Sequence, residues 1–258
     1  MVIMDDYARL FRLDGRRALV VGAGNGIGRE SALALAAHGA DVIAADLDAE
    51  AAAATAELAG GQGYPLDVLD GAAIQRAAAE LDELDVLVFT AATNVRKRLV
   101  DYTDDDFDRV IALNLASSFR LIRAFGGPMA ERGRGSIIGF SSIRATTVEP
   151  GQGVYAATKS GLIQLLRTAA AEFGPRGVRC NAIAPGIVAT PLTAQIRADE
   201  AWSAAYASKS ALGRWAEPSE IAGAVVFLAG DAASYITGSC LMVDGGWTAV
   251  DGRYTPPA

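Results

Sequence analysis

The sequence predicts one α/β domain whose parallel sheet carries helices on both faces, and three features predict it. Short runs that are apolar throughout alternate with longer Ala- and Leu-rich stretches. Strands buried on both faces read this way, whereas a sheet open to water on one side alternates apolar and polar residues. A glycine-rich turn joins the first run to the first helical stretch, and no Pro-rich or low-complexity linker divides the 258 residues. A chain that is 51% hydrophobic and 21% charged can fill one large core, so 1–258 reads as one domain.

In chain order, RALVVG (17–22) is apolar and β-branched and reads as the first strand, followed by a helix over 26–38. DVIAAD (41–46) is the second strand, with an Ala-rich helix at 48–59 and a weak strand ending at Asp67. A helix near 71–82 leads to the strand DVLVFT (85–90), and a long helix covers about 104–125. SIIGFSS (136–142) is a strand, 153–173 a helix, and VRCNAIAP (178–185) a strand. A polar, interrupted stretch (190–213) precedes a helix near 218–229 and a last strand, CLMV (240–243).

A formal net charge of −7 argues against nucleic acid or an anionic membrane as partner, because both select basic surfaces. No apolar run reaches membrane-spanning length, and MVIMDDYARLF lacks a basic segment followed by an apolar one. Cys180 and Cys240 sit alone in apolar segments and read as buried thiols, which points to the cytoplasm. With His38 as the sole histidine and no paired cysteines, no His/Cys metal site is expected. His38 itself precedes Gly39 at a helix end and reads as structural.

The first strand runs into GAGNGIG, with glycines at Gly22, Gly26 and Gly28. Glycine there permits a tight turn and close approach of the backbone to a pyrophosphate, and the following helix offers free N–H groups. The spacing departs from strict G-x-G-x-x-G, and a flexible turn is the competing reading. Context favours dinucleotide binding: a strand before, a helix after, and Asp46 ending the second strand, placed to accept hydrogen bonds from an adenosine ribose. A cap for the helix after it is the alternative role for Asp46. A second pattern lies in GVYAATKSG, where Tyr155 and Lys159 are four apart and share one helical face. Alone, that pair reads as ordinary surface.

Taken together, the glycine loop, Asp46 and Y-x-x-x-K resemble the short-chain dehydrogenase/reductase family over nearly the whole chain. Further matches are Asp67-Val68, Asn114 in VIALNLASS, Ser142 thirteen residues before Tyr155, Pro185, Gly186 and Thr190 in NAIAPGIVATP, and ITGSCLMVDGG. The resemblance implies a single Rossmann-type, doubly wound domain with seven parallel strands. By position it makes Tyr155 the general acid/base, Lys159 its activator, Ser142 the holder of the substrate carbonyl and Asn114 the anchor of a water relay. Gly22, Asn25, Gly26, Ile27, Gly28, Asp46 and Leu47 would bind the cofactor, with Asp67 and Val68 flanking its adenine. Thr90, Ala91, Ala92, Tyr155, Lys159, Pro185, Gly186, Val188 and Thr190 complete that set. It also implies a homotetramer and a mobile lid over 190–213.

The magnitudes are sufficient. Lowering a phenol from about 10 to about 7 takes roughly 4 kcal/mol. An ammonium about 4 Å away supplies about that at an effective dielectric near 20. Lys159 is therefore expected against the Tyr155 phenol. Two departures from the family pattern stand out: Phe89-Thr90-Ala91-Ala92 replaces the usual Asn-Asn-Ala-Gly, and Val21 replaces a Thr. Thr90 can still bond to backbone, so a repacked apolar contact between neighbouring strand ends is expected.

The cofactor expected is NAD, since neither Leu47 nor Asn25 supplies a cation for a 2′-phosphate. The reaction expected is hydride transfer between nicotinamide and a secondary alcohol or ketone, in a small polyol, sugar or sugar acid. Arg96 in NVRKR (94–98) and Arg144 leave strand ends and point to an anionic or polyhydroxylated ligand, and the segment looks like that of gluconate 5-dehydrogenase-type members. The alternatives are a 3-oxoacyl-carrier-protein reductase and, from another class, a catalytically silent NAD-binding sensor or scaffold.

Overall fold

The computed structural model describes residues 5–250. A short helix α1 (Asp5–Arg9) precedes the repeating unit. Then follow β1 (Arg17–Val21), α2 (Gly26–Ala37), β2 (Asp41–Asp46), α3 (Ala49–Ala59) and β3 (Gln62–Pro65). After these come α4 (Gly71–Glu80), β4 (Val86–Phe89), α5 (Asp104–Ile111), α6 (Ser117–Arg132), β5 (Gly135–Phe140) and α7 (Gly153–Phe173). The chain continues through β6 (Val178–Pro185), α8 (Ala194–Arg197), α9 (Glu200–Ala207), α10 (Ser219–Ala229) and β7 (Cys240–Val243). The strands form one parallel seven-stranded sheet in the order β3-β2-β1-β4-β5-β6-β7. The order reverses between β1 and β4, and ligands of open α/β sheets bind at such a switch point.

Alternation along β1 explains the two layers. Ala18 and Val20 face a core shared with α2 and α10, while Leu19 and Val21 face one shared with α4, α6 and α7. Strands such as β1 and β4 thus carry unbroken apolar runs because both faces are covered. Val21 and Phe89, partners across β1 and β4, lie in one apolar cluster, which is the repacked strand-end contact expected from the two departures.

Two elements differ from expectation. The weak third strand ends at Pro65, leaving Asp67 in the loop beyond it. The long helix runs on to Arg132, through a π-helical turn at Ala112–Ala116 and past Pro128. FGGP (125–128) looks like a stop, and proline inside a helix costs about 3 kcal/mol. Phe125 and Met129 are both buried there, and each buried side chain contributes about 1.5–3 kcal/mol, enough to carry the helix through. His38 ends α2 with Nδ1 2.8 Å from the Ala34 carbonyl, the structural role expected. Among the described residues no helix is long and apolar enough to cross a membrane.

Candidate active site

A cavity of about 410 Å³ lies along the carboxyl ends of the central strands. At its dinucleotide end is the turn between β1 and α2. Gly22 has φ +83°, and a Cβ there would sit 2.6 Å from the Thr90 hydroxyl. A Cβ on Gly28 would collide with the Gly22 carbonyl. Thr90 Oγ1 donates to the Gly22 carbonyl at 3.0 Å, so the substituted residue after β4 braces this turn. The loop packs backbone against backbone, as close approach of a pyrophosphate requires.

Asp46 ends β2 on the same cavity. Its Oδ2 accepts from Gly24 N at 2.8 Å and its Oδ1 from Asp48 N at 3.1 Å. The cap of α3 is Asp48, whose carboxylate accepts from Glu50 N and Ala51 N. That frees Asp46 from the capping role and leaves it fixing the glycine loop. Asp67 accepts from Leu69 N at 2.8 Å in the next loop. Asn25, Gly26, Ile27, Leu47, Val68, Ala91, Ala92, Pro185, Gly186, Val188 and Thr190 all line the cavity with these residues. The donor set, glycine backbone at one end and a carboxylate beside it, fits a dinucleotide.

At the other end, β5 delivers Ser142 and the first turns of α7 deliver Tyr155 and Lys159; all three are buried and line the cavity. Ser142 Oγ accepts from Arg144 N at 3.1 Å, which leaves its own proton free to donate. Burial raises the Tyr155 phenol above its ordinary value, opposed first by the Ser142 hydrogen bond, then by the charges of Arg144 and Arg96. Lys159 Nζ lies 5.5 Å from the Tyr155 ring centroid and donates to the Phe140 carbonyl at 2.7 Å. Burial brings its pKa down to about 8. This corrects the sequence expectation of a phenol lowered by the ammonium. Helical spacing brings Lys159 beside the ring, but its ammonium is taken by a strand-end carbonyl, and desolvation dominates both groups.

Asn114 lies in the π-helical turn, away from the cavity wall. Its Oδ1 accepts from Thr93 N at 2.8 Å, and its Nδ2 donates to the Thr93 carbonyl at 2.9 Å and to Thr158 Oγ1 at 3.2 Å. It clamps the loop after β4 to α7. Asn114 is fully buried within this turn, and π-bulges are frequent at functional sites. Ser141, which the sequence did not single out, ties β5 to α7 through a 2.9 Å bond to the Lys159 carbonyl.

Arg96 and Arg144 also lie off the cavity wall, and neither is a free cation. Both pair with Glu149, Arg96 at 3.3 Å. Lys97 pairs with Asp106 at 2.5 Å and Arg98 with Asp101 at 3.0 Å. Each member of the basic cluster that suggested an anionic ligand is therefore paired with a carboxylate, Arg96 and Arg144 with the same one. Glu149 carried no spacing signal, since only folding brings its loop beside residues 94–98.

A chain that joins a dinucleotide cradle to a buried Ser–Tyr–Lys group has the equipment of a nicotinamide-dependent oxidoreductase. The profile described as enoyl-(acyl carrier protein) reductase matches residues 22–248. Galactitol 2-dehydrogenase (L-tagatose-forming) of Cereibacter sphaeroides is 41% identical over 251 residues, covering 94% of this chain and 99% of that one. D-threitol dehydrogenase of Mycolicibacterium smegmatis is 40% identical, with 92% and 95% covered. The structure of a gluconate 5-dehydrogenase from Burkholderia cenocepacia J2315, in complex with NADP and tartrate, superposes with a TM-score of 0.91. It is 33% identical, covering 95% of this chain and 99% of that one. The chain belongs to the short-chain dehydrogenase/reductase family and is an NAD(P)-dependent oxidoreductase acting on CH–OH groups.

Proposed function

We propose that the protein oxidises a secondary alcohol of a small, uncharged polyol to the ketone, with NAD as acceptor, and catalyses the reverse reduction. The observation that carries this reading is the single cavity joining Asp46 at one end to Ser142, Tyr155 and Lys159 at the other. A nicotinamide held beside Tyr155 and Lys159 would supply the hydride acceptor for the carbinol carbon. In the reduction the Tyr155 phenol donates its proton to the ketone oxygen, in the oxidation its phenolate takes the hydroxyl proton, and Ser142 donates to the oxygen as charge develops on it. Lys159 keeps a positive charge beside the ring, and Asn114 holds the loop and helix that frame these groups. Asp46 supports NAD, because a carboxylate at the ribose disfavours a 2′-phosphate. Arg29, the one basic residue beside the loop, is exposed and off the cavity wall.

Because Glu149 already holds both Arg96 and Arg144, neither is free for a ligand carboxylate, which favours a neutral polyol, in keeping with the galactitol and threitol enzymes it resembles. The stretch 190–213 serves as the lid: Pro191, Leu192 and Thr193 line the cavity, and Trp202 and Tyr206 pack against Trp247 and Ile143 beneath. A homotetramer joined through the α5–α6 and α7 helices fits the exposed Phe107 and Phe119. A cytoplasmic setting fits two free cysteines, the Cys180 thiol being pushed up to about 12 by burial. The test is NADH formation at 340 nm with galactitol, threitol, D-gluconate and a 3-hydroxyacyl thioester. Turnover of a polyol is expected. Cofactor binding without turnover would leave the sensor reading, and thioester turnover alone would leave the acyl one.

A further inference from the structure

The loop after Ser142 and the loop after β4 meet at one carboxylate. Glu149 accepts from the Tyr206 hydroxyl at 2.5 and 2.6 Å, and from Gln152 Nε2, Arg144 and Arg96. Gln152 Oε1 in turn accepts from Asn94 Nδ2 at 2.9 Å, and Lys97 N donates to the Gly151 carbonyl at 3.1 Å, so the two loops are stitched together. Arg144 is 8% exposed, Arg96 24% and Glu149 20%, which makes this a largely desolvated cluster.

Aromatic rings hold the guanidiniums from their other faces. Arg96 lies 5.4 Å from the Trp202 ring centroid, and Arg144 lies 5.8 Å from that of Tyr206 and 5.5 Å from that of Trp247. Neither can turn to a ligand without leaving both a ring and a carboxylate. The cluster abuts the reaction centre, since Arg144 N donates to Ser142 Oγ. It also reaches the lid, since Trp202 and Tyr206 stand on α9.

Buried Arg144 and half-buried Arg96 share one anion, which leaves one net positive charge distributed over groups already committed to partners. A ligand carboxylate entering beside Ser142 would lose its water and gain little in exchange. We propose that Glu149 is a specificity-determining residue: by holding Arg96 and Arg144 it reserves the site for neutral polyols, and without its charge the site accepts sugar acids. Glu149 acts through the arginines and is a positioning residue. This inference rests on the polyol reading above.

The experiment compares wild type, Glu149→Gln and Glu149→Asp, each saturated with NADH. Binding of D-gluconate and of galactitol is titrated by quenching of tryptophan fluorescence. Gln keeps an oxygen for the Tyr206 hydroxyl while removing the charge, and Asp keeps the charge. Wild type is expected to bind galactitol more tightly than gluconate. Glu149→Gln should bind gluconate roughly tenfold or more tightly than wild type does, from one uncovered charge, with galactitol changed less than about threefold. Glu149→Asp should follow wild type. Unchanged gluconate affinity in Glu149→Gln, or the same gain in Glu149→Asp, would overturn the proposal. So would a wild type that prefers gluconate, a result that stands even should the Gln variant fail to fold. Because binding is read without turnover, an enzyme that oxidises no polyol defeats the functional reading alone, and the gluconate comparison still decides the role of Glu149.

Discussion

Asp46→Asn separates the loop-fixing bond that the structure shows for this carboxylate from the cofactor selection proposed for it. The group fixes the glycine loop through Gly24 N at 2.8 Å, and in the proposed function its negative charge would disfavour a 2′-phosphate. Asparagine keeps an oxygen that can accept from Gly24 N, so the loop should hold while the charge goes. A carboxylate about 4 Å from a phosphate charge is repelled by about 4 kcal/mol at an effective dielectric near 20. Asp46 is only half-buried, and solvent screening reduces this to about 2 kcal/mol, or roughly thirtyfold in relative affinity. Asp46→Ala also removes the acceptor. A hydrogen bond to a charged group contributes about 1.5–3 kcal/mol, so NAD affinity should fall a further tenfold or more. The assay is kcat/KM for NAD and NADP in wild type and both variants. In Asp46→Asn the NAD-to-NADP ratio should drop by at least about tenfold, mainly through a gain on NADP. An unchanged ratio would refute the reasoning and assign Asp46 to the loop alone.

Asn114→Ala should leave the Thr93 N–H and carbonyl without partners, costing about 2–3 kcal/mol and lowering Tm by roughly 4–10 °C by calorimetry. An unchanged Tm would show that the clamp adds nothing. Gly28→Ala puts a methyl 2.8 Å from Thr90 Oγ1 and into the Gly22 carbonyl, an overpacking of about 1–3 kcal/mol, and should weaken NADH binding measured by fluorescence. Burial lowers Lys159 in the folded state from 10.5 to about 8, so between those values the unfolded chain binds more protons and stability rises with pH. The stability advantage of Lys159→Met over wild type, read from urea midpoints at about pH 7.5 and 9.5, should therefore shrink at the higher pH.

What the sequence disclosed depended on how local each signal was. Most strands of the sheet announce themselves because doubly covered strands carry unbroken apolar runs, as ALVV in β1 and VLVF in β4 show. Asp46 and the pair on α7 were legible because a strand end or one helical turn fixes their placement. The helix end at Arg132 was not, since the stop written as FGGP is overridden by the burial of Phe125 and Met129. The charge state of the basic cluster was also illegible. It depends on Glu149, more than fifty residues from Arg96 in the chain, and on Tyr206 farther still. Lys159 was located correctly, yet its partner was not, because a helical face does not reveal which carbonyl of a neighbouring strand stands opposite.

Steady-state NADH formation from the polyol by wild type and Tyr155→Phe, alongside NADH dissociation constants for both, tests the central claim most directly. Phenylalanine keeps the ring and removes only the proton carrier. The expected result is a fall in kcat of at least about a hundredfold, with NADH affinity within about threefold of wild type. A Tyr155→Phe enzyme that keeps half the wild-type kcat would contradict the account, because proton transfer would then belong to another group.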